Sequence, residues 1–120
     1  MINGKSIKKI KTGNGELKTA IKFYTSTTDD SLDGRDTKLD LVYKTRGEVY
    51  NPSSKDIEIA NMRKVEAKMT LKIRDPLHQY HPSNSDFVEI VDSRIKGKLG
   101  IIDVRPDFND RKFLIIVAGG

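Results

Sequence analysis

Ten consecutive residues, Val65-Glu66-Ala67-Lys68-Met69-Thr70-Leu71-Lys72-Ile73-Arg74, alternate apolar and polar. On a helix these apolar residues would scatter around the axis. On a strand they line one face, with Glu66, Lys68, Thr70, Lys72 and Arg74 on the other. A strand with one wet face belongs to an antiparallel sheet. The neighbouring segments agree. Leu17, Thr19, Ile21 and Phe23 alternate with Lys18, Ala20, Lys22 and Tyr24, and Leu39, Leu41 and Tyr43 with Asp40, Val42 and Lys44. Phe87 to Val91, Leu99 to Val104 and Phe113 to Val117 supply three more strands. Gly97 stands where a tight hairpin needs a positive φ, and Arg105 to Lys112 reads as a turn. Phe113 to Val117 is apolar on both faces, which places it centrally or at an interface.

One segment is helical. In Asn51 to Met62, Ser53 stands three residues before Asp56 as a capping signal, and Ile57, Ala60 or Met62 would face inward. The expected helix covers residues 53–61. Ser26 to Thr37 and Asp75 to Ser85 are long loops and therefore candidate functional segments. The expectation is one all-β domain over residues 1–120, a small antiparallel β-barrel of six strands with one short helix and long loops.

Charge is unevenly placed. The chain has 22 basic and 17 acidic side chains, a net charge of +5. Residues 1–22 hold six lysines against Glu16, so this stretch carries the whole surplus. Residues 1–16, with Lys5, Lys8, Lys9 and Lys11, read as a basic arm able to touch nucleic acid or an acidic protein surface. The absence of cysteine excludes disulfides and thiolate chemistry. No apolar run is long enough for a signal peptide or a membrane span. Only 36% of residues are hydrophobic, against 32% charged, which suits a chain that gains stability by assembly.

The chemical motifs are weak. Asp29, Ser31, Asp33, Gly34 and Asp40 fit calcium-loop positions, but the twelfth should be a glutamate, Asp36 replaces an apolar residue, and the flanks are strands. His78 and His81, with Asp75 and Asp86, are too few and too mixed for zinc. Asp103 interrupts an apolar strand and could pair with Asp92 across the hairpin, but nothing else supports general acid–base chemistry. No catalytic, metal or cofactor residue is assigned, and the chain reads as a non-enzyme. An OB-like nucleic-acid module is the main alternative, although Tyr24, Tyr43 and Tyr50 form no evident stacking platform.

The runs VYNPSSKDIEIANMRKVEAKMTLKIRDP and FVEIVDSRIKGKLGIIDVRPDFNDRKFLIIV, in their order and spacing, resemble the head–tail adaptor (head-closure or stopper) proteins of long-tailed bacteriophages. The likeness spans about residues 40–118. This chain departs from the pattern at Leu99-Gly100, where an aromatic is common, and at Pro76, directly after Asp75. The resemblance implies a virion protein at the head–tail junction, assembled in the host cytoplasm as a dodecameric ring. Its partners would be other copies of itself, the portal or adaptor protein, a tail-terminator or tail-tube protein, and passing genomic double-stranded DNA read without sequence specificity. No membrane is involved. It also implies a channel or gating loop between the second and third strands, here Arg46, Gly47, Tyr50, Asn51, Pro52, Ser53, Lys55 and Asp56. Asp75, His78, Tyr80 and His81 become an interface loop. A tail-completion or tail-terminator protein shares the same class and size.

Overall fold

A computed structural model describes residues 17–28 and 37–120. Its strands are β1 (Thr19–Thr28), β2 (Thr37–Tyr50), β3 (Ala67–Arg74), β4 (Asp86–Ile90), β5 (Lys98–Pro106) and β6 (Phe113–Gly119). A helix, α1 (Ser54–Met62), joins β2 to β3. The six strands close into one antiparallel barrel in the order β1-β2-β3-β6-β5-β4, with β4 returning to β1. Ile21, Phe23, Leu71, Ile73, Val88, Ile90, Leu99, Ile101, Ile116 and Ala118 fill its interior.

Three bulges decide which residues reach that interior. A bulge admits one extra residue and shifts the side-chain phase by one. In β5 the register jumps between Ile101 and Asp103. Leu99, Ile101 and Val104 therefore face the core, while Ile102 turns outward. In β3 the jump lies between Ala67 and Met69. Met69, Leu71 and Ile73 point inward, but Ala67 and the preceding Val65 join the outer cluster instead. This corrects the single face expected from the alternation of Val65 to Ile73. In β2, Tyr43 pairs with Phe23 and Leu41 with Tyr24, leaving Val42 extra. Tyr43 packs against the core, whereas Leu41 is 47% exposed.

The outer cluster explains the two-sided apolarity of β5 and β6. Ile102 and Val117 are covered by Ala60 of α1, with Ile59, Val65 and Ala67 around them. The face that could have met a neighbouring subunit meets the chain's own helix. That helix begins one residue later than expected. Ser53 is its N-cap, and a full capping box joins Ser53 and Asp56. Ala60 faces inward, but Ile57 and Met62 are exposed. The C-terminal end closes in a Schellman pattern: Val65 N–H donates to Ala60 C=O and Lys64 N–H to Asn61 C=O, both at 3.0 Å. Lys64 takes the left-handed position at φ 60°.

Gly97 has φ 79°, as a hairpin residue should, but the turn is wider than expected. β4 ends at Ile90, Val91 is exposed, and Asp92 bridges Ile95 before Gly97 opens β5. Ser26 to Thr28, expected as loop, continue β1. The segment between β3 and β4 is ordered by a short 3₁₀ turn at Leu77–Gln79.

Candidate functional site

The described residues present a helix-covered side held by buried charge, a strand edge that none of them covers, and a rim of turns at one barrel end. The covered side is built around Asp56, which is 1% exposed. Asp56 is both the N3 residue of the capping box and a partner for the barrel wall. Its Oδ2 accepts from Thr70 Oγ1 at 2.7 Å, and its Oδ1 accepts from Arg105 Nη2 at 2.9 Å. Burial pushes the carboxyl pKa up. Hydrogen bonds from Thr70, from the Ser53 N–H and from Arg105 outweigh that and hold it below its ordinary value. Arg105 also donates to Asp103 at 3.3 Å, and Arg63 lies 3.6 Å from Asp103 while donating to the Ile102 carbonyl. The four charges balance. This network pins α1 over β5 and β3.

A second outer pair stands nearby. Lys72 Nζ lies 2.9 Å from Asp107 Oδ2 and over the Phe113 ring, 5.3 Å from its centroid. Asp107 is buried and also accepts from the Asn109 N–H at 3.0 Å, fixing the β5–β6 turn. Burial raises the Asp107 pKa, but Lys72 and the turn N–H groups lower it further, to below its ordinary value.

The uncovered side lies along β2. Its pairing with β1 runs from Thr37 to Gly47, but its pairing with β3 covers Gly47–Tyr50 alone. From Thr37 to Arg46 the second edge of β2 has no strand partner among the described residues. Leu41 and Val42 are exposed there.

The residues expected to form one gating loop are dispersed. Arg46, Gly47 and Tyr50 belong to β2 itself, correcting their placement in a connection. Gly47 is packed so closely that a Cβ would stand 2.7 Å from Ile21 Cδ1 and 2.7 Å from the Lys72 carbonyl. Arg46 Nη1 donates to the Lys18 carbonyl at 2.9 Å. Asn51 and Pro52 form the short lead into α1, Ser53 caps it and Lys55 is exposed on it. Asp56 is buried in the ion network and is not a loop residue. What remains of the connection is a packed helix.

The interface-loop residues divide as well. Tyr80 inserts into the barrel end, with its ring 5.2 Å from Phe23 and 5.4 Å from Tyr43 between centroids. Its hydroxyl donates to Asp86 Oδ2 at 2.6 Å. Burial, then the Asp86 carboxylate, pushes the Tyr80 pKa above its ordinary value. His78 and His81 stay exposed. Asp75 Oδ1 accepts from the Leu77 N–H at 2.9 Å. Among the described residues no group of three or more His, Asp or Glu could hold a metal. Asp92 and Asp103 do not pair. Asp92 binds Arg94, whose hydrogen bonds pull its pKa to about 2, while Asp103 lies opposite Val117 on β6. Of the tyrosines, Tyr43 stacks on Tyr80, Tyr24 lies under Lys98 and donates to Glu89 at 2.7 Å, and Tyr50 is exposed at the end of β2. Lys5, Lys8, Lys9 and Lys11, and the candidate calcium positions apart from Asp40, lie outside the described residues. Asp40 accepts from Thr27 Oγ1 at 3.0 Å on the hairpin.

No protein family matches the chain in sequence, and no curated protein does. In structure it is similar to the solution structure of protein SF1141 from Shigella flexneri 2a. The TM-score is 0.64 and the identity 18%, over 90% of this chain and 96% of that one. At that identity the likeness is one of fold.

Proposed function

We propose that this chain is a structural subunit of the head–tail connector of a long-tailed phage, forming a ring that closes the DNA channel after packaging and docks the tail. The observation that carries the reading is the β2 edge from Thr37 to Arg46, which has no strand partner among the described residues of a closed barrel. A long edge with exposed apolar side chains invites another chain, and folds that stay monomeric blunt such edges. When one subunit's edge meets a different surface of the next, the contact is heterologous, and it closes into a ring if the rotation closes. The sequence order that resembles head-closure proteins supplies the place of that ring. The chemistry is assembly without catalysis. The partners are further copies of the chain, the portal or adaptor ring on one side and the tail on the other.

The test is electron microscopy of particles made without this protein. DNA-filled or leaking heads lacking tails are expected, and adding the purified protein should restore tail attachment. Complete infectious particles would overturn the proposal. Restoration through binding to isolated tails, with no affinity for tailless heads, would reassign the chain to tail completion. Saturable single-stranded DNA binding that collapses with salt would favour an OB-like module.

A further inference from the structure

Leu77 is an exposed apolar residue in a backbone conformation that leucine avoids. Its φ is 58° and its side chain is 65% exposed. Left-handed backbone is costly for a residue with a branched side chain, and such strain persists where surroundings impose it. Here they do. Asp75 accepts from the Leu77 N–H, Gln79 N–H donates to Pro76 C=O, and Asp75 N–H donates to Lys112 C=O at 2.8 Å. The last bond ties this loop to the β5–β6 turn. On that turn Phe108 is 71% exposed, with the Arg111 guanidinium 5.8 Å from its ring centroid. Leu77 and Arg111 border one depression of about 530 Å³, together with Arg74, Asp75, Asp110 and Lys112. Leu77 also borders a second depression of about 310 Å³ on its other side.

We infer that this rim is a docking site for an acidic protein segment carrying a large apolar side chain, with Leu77 and Phe108 as the apolar contacts and Arg111 and Lys112 as the charged ones. Arg111 and Lys112 have no ion pair among the described residues. Two carboxylates share the patch: Asp75 Oδ1 accepts from the Leu77 N–H and Asp110 Oδ1 from the Lys112 N–H at 3.2 Å. Against them stand Arg74, Arg111 and Lys112, so the lining keeps a surplus of one positive charge. A surplus of one charge gives little grip on a phosphate backbone, and Leu77 cannot stack on a base, so nucleic acid is the poorer fit. Both turns are fixed by internal hydrogen bonds, so binding orders little and is preorganised. The inference stands apart from the ring proposal, because the β2 edge takes no part in it.

A displayed random-peptide library selected on the full chain, with depletion on a Leu77→Gly/Phe108→Ser variant, tests it. Enriched peptides should carry net negative charge around a Leu, Phe or Trp. A labelled peptide from that pool should lose at least fivefold in affinity on Leu77→Gly and on Arg111→Glu. The melting temperature of Leu77→Gly should not fall, since glycine relieves the backbone while removing the contact. Duplex DNA should not displace the peptide. Enrichment without a charge preference, equal binding to the depleting variant, displacement by DNA, or self-association of the chain through this rim would each overturn the inference.

Discussion

The barrel has two sides that treat outward apolar residues in opposite ways. Beneath α1, Ile102 and Val117 are covered by Ala60, and the charges around them are matched within the chain. Along β2 and the rim, Leu41, Val42, Leu77 and Phe108 are exposed, and a strand edge is left without a partner among the described residues. An apolar outer face is thus no signal of assembly by itself. On β5 and β6 it is satisfied internally by a helix that the connection between β2 and β3 supplies. On β2 nothing in the described residues covers it. The covered side should respond to mutation through stability, and the uncovered side through association.

The largest effect should come from splitting the Asp56–Arg105 pair. Removing one partner strands the other near or inside the protein and costs roughly 3–5 kcal/mol when both are buried. Arg105 is 28% exposed, so the lower end of that range is expected for Asp56→Ala. Urea unfolding of the full chain measures it. The same carboxyl gives the protein an acid limb. Its folded pKa lies below the ordinary 3.8, so its contribution is present above that value and is lost as pH falls through the folded pKa. Asp56→Asn should flatten this limb below about pH 4. An unchanged limb would mean that α1 is held by Ala60 packing instead.

Gly47 sits where the covered and uncovered parts of β2 meet. Gly47→Ala puts a Cβ 2.7 Å from a backbone carbonyl that cannot turn aside, so a loss of about 1–3 kcal/mol is expected. A few residues away, Leu41→Lys and Val42→Lys should stay within about 0.5 kcal/mol of the parent by thermal unfolding. They should nevertheless block association, because edge lysines are a natural device against strand pairing. Analytical ultracentrifugation reads the second effect. A Leu41→Lys chain that unfolds early would place that side chain in a core that the barrel lacks.

The sequence made some of this contrast legible. Alternation from Met69 to Arg74 announces a strand of an antiparallel sheet, and Ser53 with Asp56 announces a capped helix. The bulges at Val42, Lys68 and Ile102 carry no residue signature, so the phase shifts that divide inner from outer residues were not readable. The capping role of Asp56 is legible, but its ties to the barrel wall are not, because its partners Thr70 and Arg105 lie 14 and 49 residues away. The residues expected as one gating segment divide between elements for a related reason: β2 runs on through Arg46 and Gly47 to Tyr50, beyond the alternation that stops at Lys44. Tyr80 gave no sign that it would stack on Tyr43. Leu77 was least legible, because propensity argues against leucine in its conformation.

The smallest expected effect separates the two sides most cleanly. Each carries one left-handed residue that is not glycine, Lys64 at φ 60° and Leu77 at φ 58°. Lys64 occupies the position after a helix where glycine is usual, and Lys64→Gly should gain about 1 kcal/mol by relieving a crowded Cβ. Leu77→Gly should gain less, about 0.5 kcal/mol, because glycine also frees the unfolded chain. Calorimetry of both variants should show melting temperatures at or above the parent's. Function should then part them. Lys64→Gly lies on the helix-covered side and should leave peptide capture unchanged, while Leu77→Gly should lose it. A Leu77→Gly chain that melts lower than the parent would show that Leu77 packs against its own loop, and the rim would then belong with the covered side.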